Sequence, residues 1–71
     1  MALSENLRDA IQLTKQIQEL VATRAELKAG IMITEMVVGP KHIEHLLEQH
    51  PMGQEISAEI ALRRVAIAEL V

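Results

Sequence analysis

The chain has 71 residues, a net charge of −3, no cysteine and 49% hydrophobic residues, none of them aromatic. So short a chain forms one domain with a small core, and without cysteine the simplest further source of stability is association with other chains. The lack of aromatic side chains argues against stacking on nucleic-acid bases, and the lysines and arginines form no continuous patch for binding phosphates, so we predict no nucleic-acid partner.

Hydrophobic residues are spread along the chain and do not form one long run. No run approaches the ~18 apolar residues of a membrane span, and no basic segment precedes a short apolar core, as it does in a signal peptide. Together with the lack of cysteine, this pattern predicts a cytoplasmic protein without a membrane partner.

The first predicted helix covers residues 4–29. Ser4 suits the N-cap, where a hydroxyl accepts a hydrogen bond from an early backbone N–H group. Gly30 suits the C-terminus, because glycine tolerates the left-handed conformation that often ends a helix. Between them, one narrow stripe at three- and four-residue spacing predicts packing against one or two long neighbouring helices. The stripe consists of Leu3, Leu7, Ala10, Ile11, Thr14, Ile17, Leu20, Val21, Arg24 and Ala25.

Residues 31–38 leave two structures open. Five of these eight residues are β-branched, as strands favour, and a glycine stands at each end. The run is too short for its periodicity to decide. It forms either a helix, continuous with the first one, or a short strand whose pairing partner has to come from another copy of the chain.

Two more helices are predicted, over residues 41–50 and 54–71. Pro40 suits the first position of the former, and the segment 50–53 reads as a turn between the two. The last helix is apolar on more than one side, which is typical of a binding surface. We therefore expect a single all-α domain over residues 1–71, a helical hairpin or three-helix protomer that forms an oligomeric bundle.

Histidines and glutamates cluster in the second predicted helix. His42 and His45 lie three residues apart and Glu48 follows one turn later, a spacing that can hold a zinc ion. The further ligands that such a site needs are not evident. We interpret the cluster as solvent-facing polar residues, with a pH-sensitive interface as the alternative. No metal or cofactor is predicted.

Two segments of the first helix, Leu7-Arg8-Asp9-Ala10-Ile11 and Ala22-Thr23-Arg24-Ala25-Glu26-Leu27, resemble the first helix of the all-helical chorismate mutases. In that family two arginines of this helix bind carboxylates of the substrate. The resemblance therefore implies such a role for Arg8 and Arg24. The chain offers no recognisable nucleophile with its base, and we interpret both arginines as surface charges and predict no enzymatic activity.

Residues 55–70 resemble a helix-turn-helix DNA-binding segment. The resemblance implies a turn at Ala61-Leu62 and a recognition helix that opens with Arg63 and Arg64, which would contact phosphates or guanine edges. It supports an alternative prediction, a dimeric DNA-binding regulator built from residues 41–71. The residues at the motif's packing positions are Ile56, Ile60, Leu62, Ile67 and Leu70.

The preferred prediction is a non-catalytic interaction module: a self-associating assembly subunit, an adaptor or a small chaperone. Its expected partners are copies of itself or another helical protein, held by interlocking aliphatic side chains. The predicted contact residues are Leu7, Ile11, Ile17, Leu20 and Val21 in the first helix and Ile56, Ile60, Leu62, Val65 and Ile67 in the last.

Overall fold

The computed structural model describes residues 4–36 and 39–70, which form three α-helices and, within those ranges, no strand. The helices are α1 (Glu5–Glu35), α2 (Pro40–Gln49) and α3 (Pro51–Leu70), and they pack against one another. The predicted all-α three-helix fold is confirmed. In the described part of the chain, no helix combines the length and apolar character needed to cross a membrane.

The predicted starts of the first two helices are confirmed. Ser4 has an extended backbone, and its Oγ accepts a hydrogen bond from the backbone N–H of Leu7 at 3.1 Å. Gly39 precedes α2 and Pro40 occupies its first turn. Both signals act locally, because a side-chain acceptor or a fixed backbone angle favours a helix start whatever packs against it. Leu3 of the predicted stripe lies outside the described residues.

Gly30 lies inside α1 and does not end it. No glycine among the described residues has a positive φ, so the predicted C-terminus is wrong. The helix continues through residues 31–35 and ends at Met36, which is left-handed with φ 53° and donates its N–H to the Met32 carbonyl. The sequence left helix or strand open for residues 31–38, and residues 31–35 are helical. Residues 37 and 38 lie outside the described residues.

A single residue, His50, connects α2 to α3. Its N–H donates to the carbonyl oxygens of Leu46 at 3.0 Å and Leu47 at 3.2 Å. The predicted turn over residues 50–53 is therefore too long, because all but the first of them belong to α3. Gly53 explains how the helices approach so closely: a Cβ there would lie 3.1 Å from the carbonyl carbon of Leu47 and would overlap its oxygen. Val71, predicted as the end of this helix, lies outside the described residues.

The buried side chains gather at the end of the molecule where all three helices meet. They are Ile31, Ile43, Leu47, Ile56 and Ile60. With ten residues, α2 spans about 15 Å, whereas the 31 residues of α1 span about 46 Å, so α2 covers only part of the α1–α3 pair. The molecule is correspondingly elongated, with extents of 51 × 20 × 17 Å.

Beyond that end, α1 and α3 continue as a pair of antiparallel helices. We call this part the arm: residues 5–22 of α1 and 61–70 of α3. The Asn6 side-chain amide donates to the carbonyl of Leu70 at 3.5 Å, which places the start of α1 beside the end of α3. None of the residues of the arm is buried. The arm is therefore only two helices thick, and its apolar residues are incompletely covered.

Candidate functional site

Half of the predicted contact residues pack within the protomer. Ile56 and Ile60 belong to the buried core, each with 7% of its surface exposed. The others lie on α1 and α3 and are half-buried. They are Ile17, Leu20 and Ile67. These five residues therefore stabilise the three-helix protomer itself.

The other half of the predicted contact residues lies on the surface. On α1 the exposed fractions are 47% for Leu7, 41% for Ile11 and 47% for Val21, and we call these three residues the outer stripe. On α3 they are 64% for Leu62 and 58% for Val65. The single stripe predicted for α1 is thus two adjoining lines of residues. One faces α3, and the other, roughly 100° around the helix, faces solvent.

The combined width of these two lines is informative. A helix with one neighbour needs a narrow apolar line of two residues in every seven, whereas a helix with neighbours on two sides has a wider apolar surface. In the arm α1 has the wider surface but only one neighbour, α3. The outer stripe therefore resembles a helix contact surface that no other part of the described protomer covers.

The two broad faces of the α1–α3 pair differ in the sign of their charged residues. On one face, the groove beside Val21 is lined by two arginines together with apolar residues. On the opposite face, the groove between the same helices carries carboxylates and an amide. The residues lining the first groove are Val21, Arg24, Ser57, Ile60, Ala61 and Arg64. The residues lining the second are Asp9, Gln12, Leu13, Ala66, Glu69 and Leu70.

Arg24 connects α1 to α2 in an ion-pair cluster. Its Nη2 lies 2.9 Å from Oε2 of Glu44, and Nζ of Lys28 lies 2.6 Å from the other carboxylate oxygen. The hydrogen bonds from Lys28 and Arg24 lower the pKa of Glu44. Arg8 is exposed and lies about 24 Å from Arg24 along the same helix, so the two arginines do not form one carboxylate site within a protomer.

The two arginines of α3 have different environments. Nε of Arg63 donates a hydrogen bond to Oε1 of Gln16 at 2.9 Å. Nη1 of Arg63 donates to the backbone carbonyl of Glu59 at 3.0 Å and also forms an ion pair with the Glu59 carboxylate. Arg64 is exposed at the groove beside Val21. The helix passes through Ala61-Leu62 without interruption, so the turn implied by the helix-turn-helix resemblance is wrong.

The two histidines of α2 lie on the protein surface. His42 and His45 are exposed, and across residues 4–36 and 39–70 no three histidine, aspartate or glutamate side chains are placed to hold a metal ion. His50 instead caps α3, because its Nδ1 accepts the backbone N–H of Met52 at 3.1 Å. This cap could not be predicted from the residues around Pro51.

Comparison with known proteins gives no relative for this chain. No family model matches it, and no curated protein or solved structure matches it significantly. The functional argument therefore depends on the physical character of its own surfaces.

Proposed function

We propose that the protein is a self-associating helical subunit in which the outer stripe of α1 binds a second copy of the chain. One observation carries the proposal: the arm is two helices thick and leaves Leu7, Ile11 and Val21 between 41% and 47% exposed. A second arm laid on this face completes a four-helix bundle, the arrangement that buries such wide apolar helix surfaces.

The strength of this contact follows from the area left to bury. Complete burial of a leucine, isoleucine or valine contributes about 1.5–3 kcal/mol, so covering the remaining half of three such residues contributes about 3 kcal/mol per protomer. Two protomers gain about 6 kcal/mol, against an association cost of at least about 4 kcal/mol. The stripe alone therefore supports a weak complex, and the half-buried residues beside it have to contribute as well.

The geometry of the arm favours a second copy as the occupant. Its two helices run side by side from Asn6 and Leu70 inward, so the exposed apolar surface is long and narrow. An identical arm has the same length and the same pattern, and it offers an equal unfilled surface in return. The contact is then isologous and closes as a dimer.

A pair of matched variants tests this function. Ile11→Glu places a charge in the outer stripe, whereas Met52→Glu places the same charge on an exposed apolar residue, 52% accessible, at the start of α3. Light scattering at several protein concentrations gives the mass, and circular dichroism gives the helix content. Ile11→Glu should be a helical monomer of about 7.9 kDa, and Met52→Glu should keep the wild-type mass. A wild-type mass for Ile11→Glu would refute the proposal.

The exposed apolar residues of α3, Leu62 and Val65, form a second surface on the far side of that helix. Leu62→Glu separates its contribution from that of the outer stripe. If wild type assembles beyond a dimer, Leu62→Glu should reduce the assembly to the dimer held by α1. If wild type is a dimer, Leu62→Glu should leave the mass unchanged.

A further inference from the structure

Four exposed charged residues of α1 form no ion pair with any of residues 4–36 and 39–70. They are Arg8, Lys15, Glu19 and Glu26, and all four side chains are exposed. The ion pairs formed by residues 4–36 and 39–70 join other side chains: Arg24 and Lys28 with Glu44, and Arg63 with Glu59. The four charges are therefore available to a partner.

Their spacing places them on one line. Successive members are seven, four and seven residues apart, and at about 100° per residue all four lie within roughly 40° of one another around the helix. The first two members are basic and the last two are acidic. The line is thus positive towards the start of α1 and negative towards the three-helix end.

The line is also self-complementary. The midpoint between Arg8 and Glu26 is position 17, and the midpoint between Lys15 and Glu19 is the same position. If a second α1 is laid antiparallel with position 17 of both copies at the same level, each basic residue lies opposite an acidic one. Only this direction and register match all four charges.

We propose that two copies associate through antiparallel α1 helices on a two-fold axis at position 17, with Arg8 and Lys15 of each copy facing Glu26 and Glu19 of the other. The inference rests on the proposed self-association and adds its direction and register. Each contact occurs twice across the axis, so the dimer contains four intermolecular ion pairs. Complementary charges beside an apolar stripe set the partner orientation in coiled coils.

Two further observations support the antiparallel arrangement. In a parallel pair, Arg8 would face Arg8 and Glu26 would face Glu26, and such like-charge contacts disfavour a partner. Within one chain Arg8 and Glu26 lie about 27 Å apart along the helix, so these two residues cannot pair with each other.

Charge reversal tests the direction directly. The double variants R8E/K15E and E19K/E26K give the line one sign throughout, so each should dimerise at least about tenfold more weakly than wild type. The quadruple variant R8E/K15E/E19K/E26K reverses every charge, restores every antiparallel pair and keeps the wild-type net charge. Its dissociation constant by sedimentation equilibrium should return to within about threefold of the wild-type value.

The outcomes separate this inference from the proposed function. If the double variants dimerise as wild type does while Ile11→Glu is monomeric, self-association holds and the register is wrong. Failure of the quadruple variant to recover, with its helix content unchanged, also overturns the register. A monomeric wild-type chain overturns both.

A distance measurement gives a second test that leaves the four charges in place. The chain has no cysteine, so Gln18→Cys and Ala29→Cys each carry a single spin label. In the antiparallel dimer the labels at position 18 should be close, whereas those at position 29 should be about 36 Å apart along the axis. Label-to-label distances of about 10 Å at both positions would indicate parallel helices and refute the proposal.

Discussion

Replacement of Gly30 by alanine tests the continuity of α1. The residue has a helical backbone, and among the described residues a Cβ built there meets nothing within 4 Å beyond its chain neighbours and the adjacent backbone of its own helix. Alanine loses less conformational freedom than glycine on entering a helix interior, so Gly30→Ala should stabilise the protein by about 0.5–1 kcal/mol. For a domain of this size the melting temperature should rise by about 2–8 °C.

The assay is thermal unfolding followed by circular dichroism, at one fixed protein concentration because self-association also stabilises the folded state. Ala29→Gly is the matched control: it introduces a glycine one residue earlier in the same helix and should lower the melting temperature by a similar amount. A lower melting temperature for Gly30→Ala would indicate that this glycine adopts the left-handed conformation that ends a helix, and would refute the continuous α1.

Three further predictions concern the three-helix end. Gly53→Ala should destabilise the protein by about 1–3 kcal/mol in urea denaturation, because the new methyl group overlaps the last turn of α2; unchanged stability would contradict the close contact. Hydrogen bonds from Lys28 and Arg24 lower the pKa of Glu44, so they stabilise the folded state above the ordinary glutamate pKa, and this contribution is lost as the pH falls through the lowered value. Glu44→Gln should therefore flatten the acid side of the stability–pH curve, and a curve identical to wild type would exclude the cluster. Ile60→Asp should abolish the helical signal, since it buries an unpaired charge at a site only 7% exposed; retention of a cooperative transition would contradict the core.

The helix starts could be predicted because their causes are local. The Ser4 hydroxyl reaches the N–H of Leu7 three residues later, and Pro40 fixes its own backbone angle. Neither effect depends on distant parts of the chain. The all-α fold class and the approximate bounds of α2 could be predicted from such signals together with the spacing of apolar residues.

The end of α1 could not be predicted because glycine permits a left-handed turn without requiring one. Ile31 is 8% exposed and joins the core formed with α2 and α3, and this long-range packing carries the helix past Gly30. The tight junction at Gly53 has the same origin. Its glycine is needed because the Leu47 carbonyl lies against it, a contact that no local pattern indicates.

The division of the apolar stripe of α1 into two lines could not be predicted from the sequence either. Residues at three- and four-residue spacing indicate an apolar side, but adjoining lines such as those of Ile17 and Ile11 merge in one pattern. Only the position of α3 shows that Ile17 packs inside the protomer while Ile11 remains 41% exposed. The ion pair of Arg24 with Glu44 and the hydrogen bond from Arg63 to Gln16 likewise depend on the fold, because each joins two different helices.

The mass of the wild-type chain in solution tests the central claim most directly. Sedimentation equilibrium over a wide concentration range should give a multiple of 7.9 kDa that decreases towards 7.9 kDa on dilution. A mass of 7.9 kDa at every concentration up to about 1 mM, where even an association of about 4 kcal/mol is detected, would contradict self-association through α1.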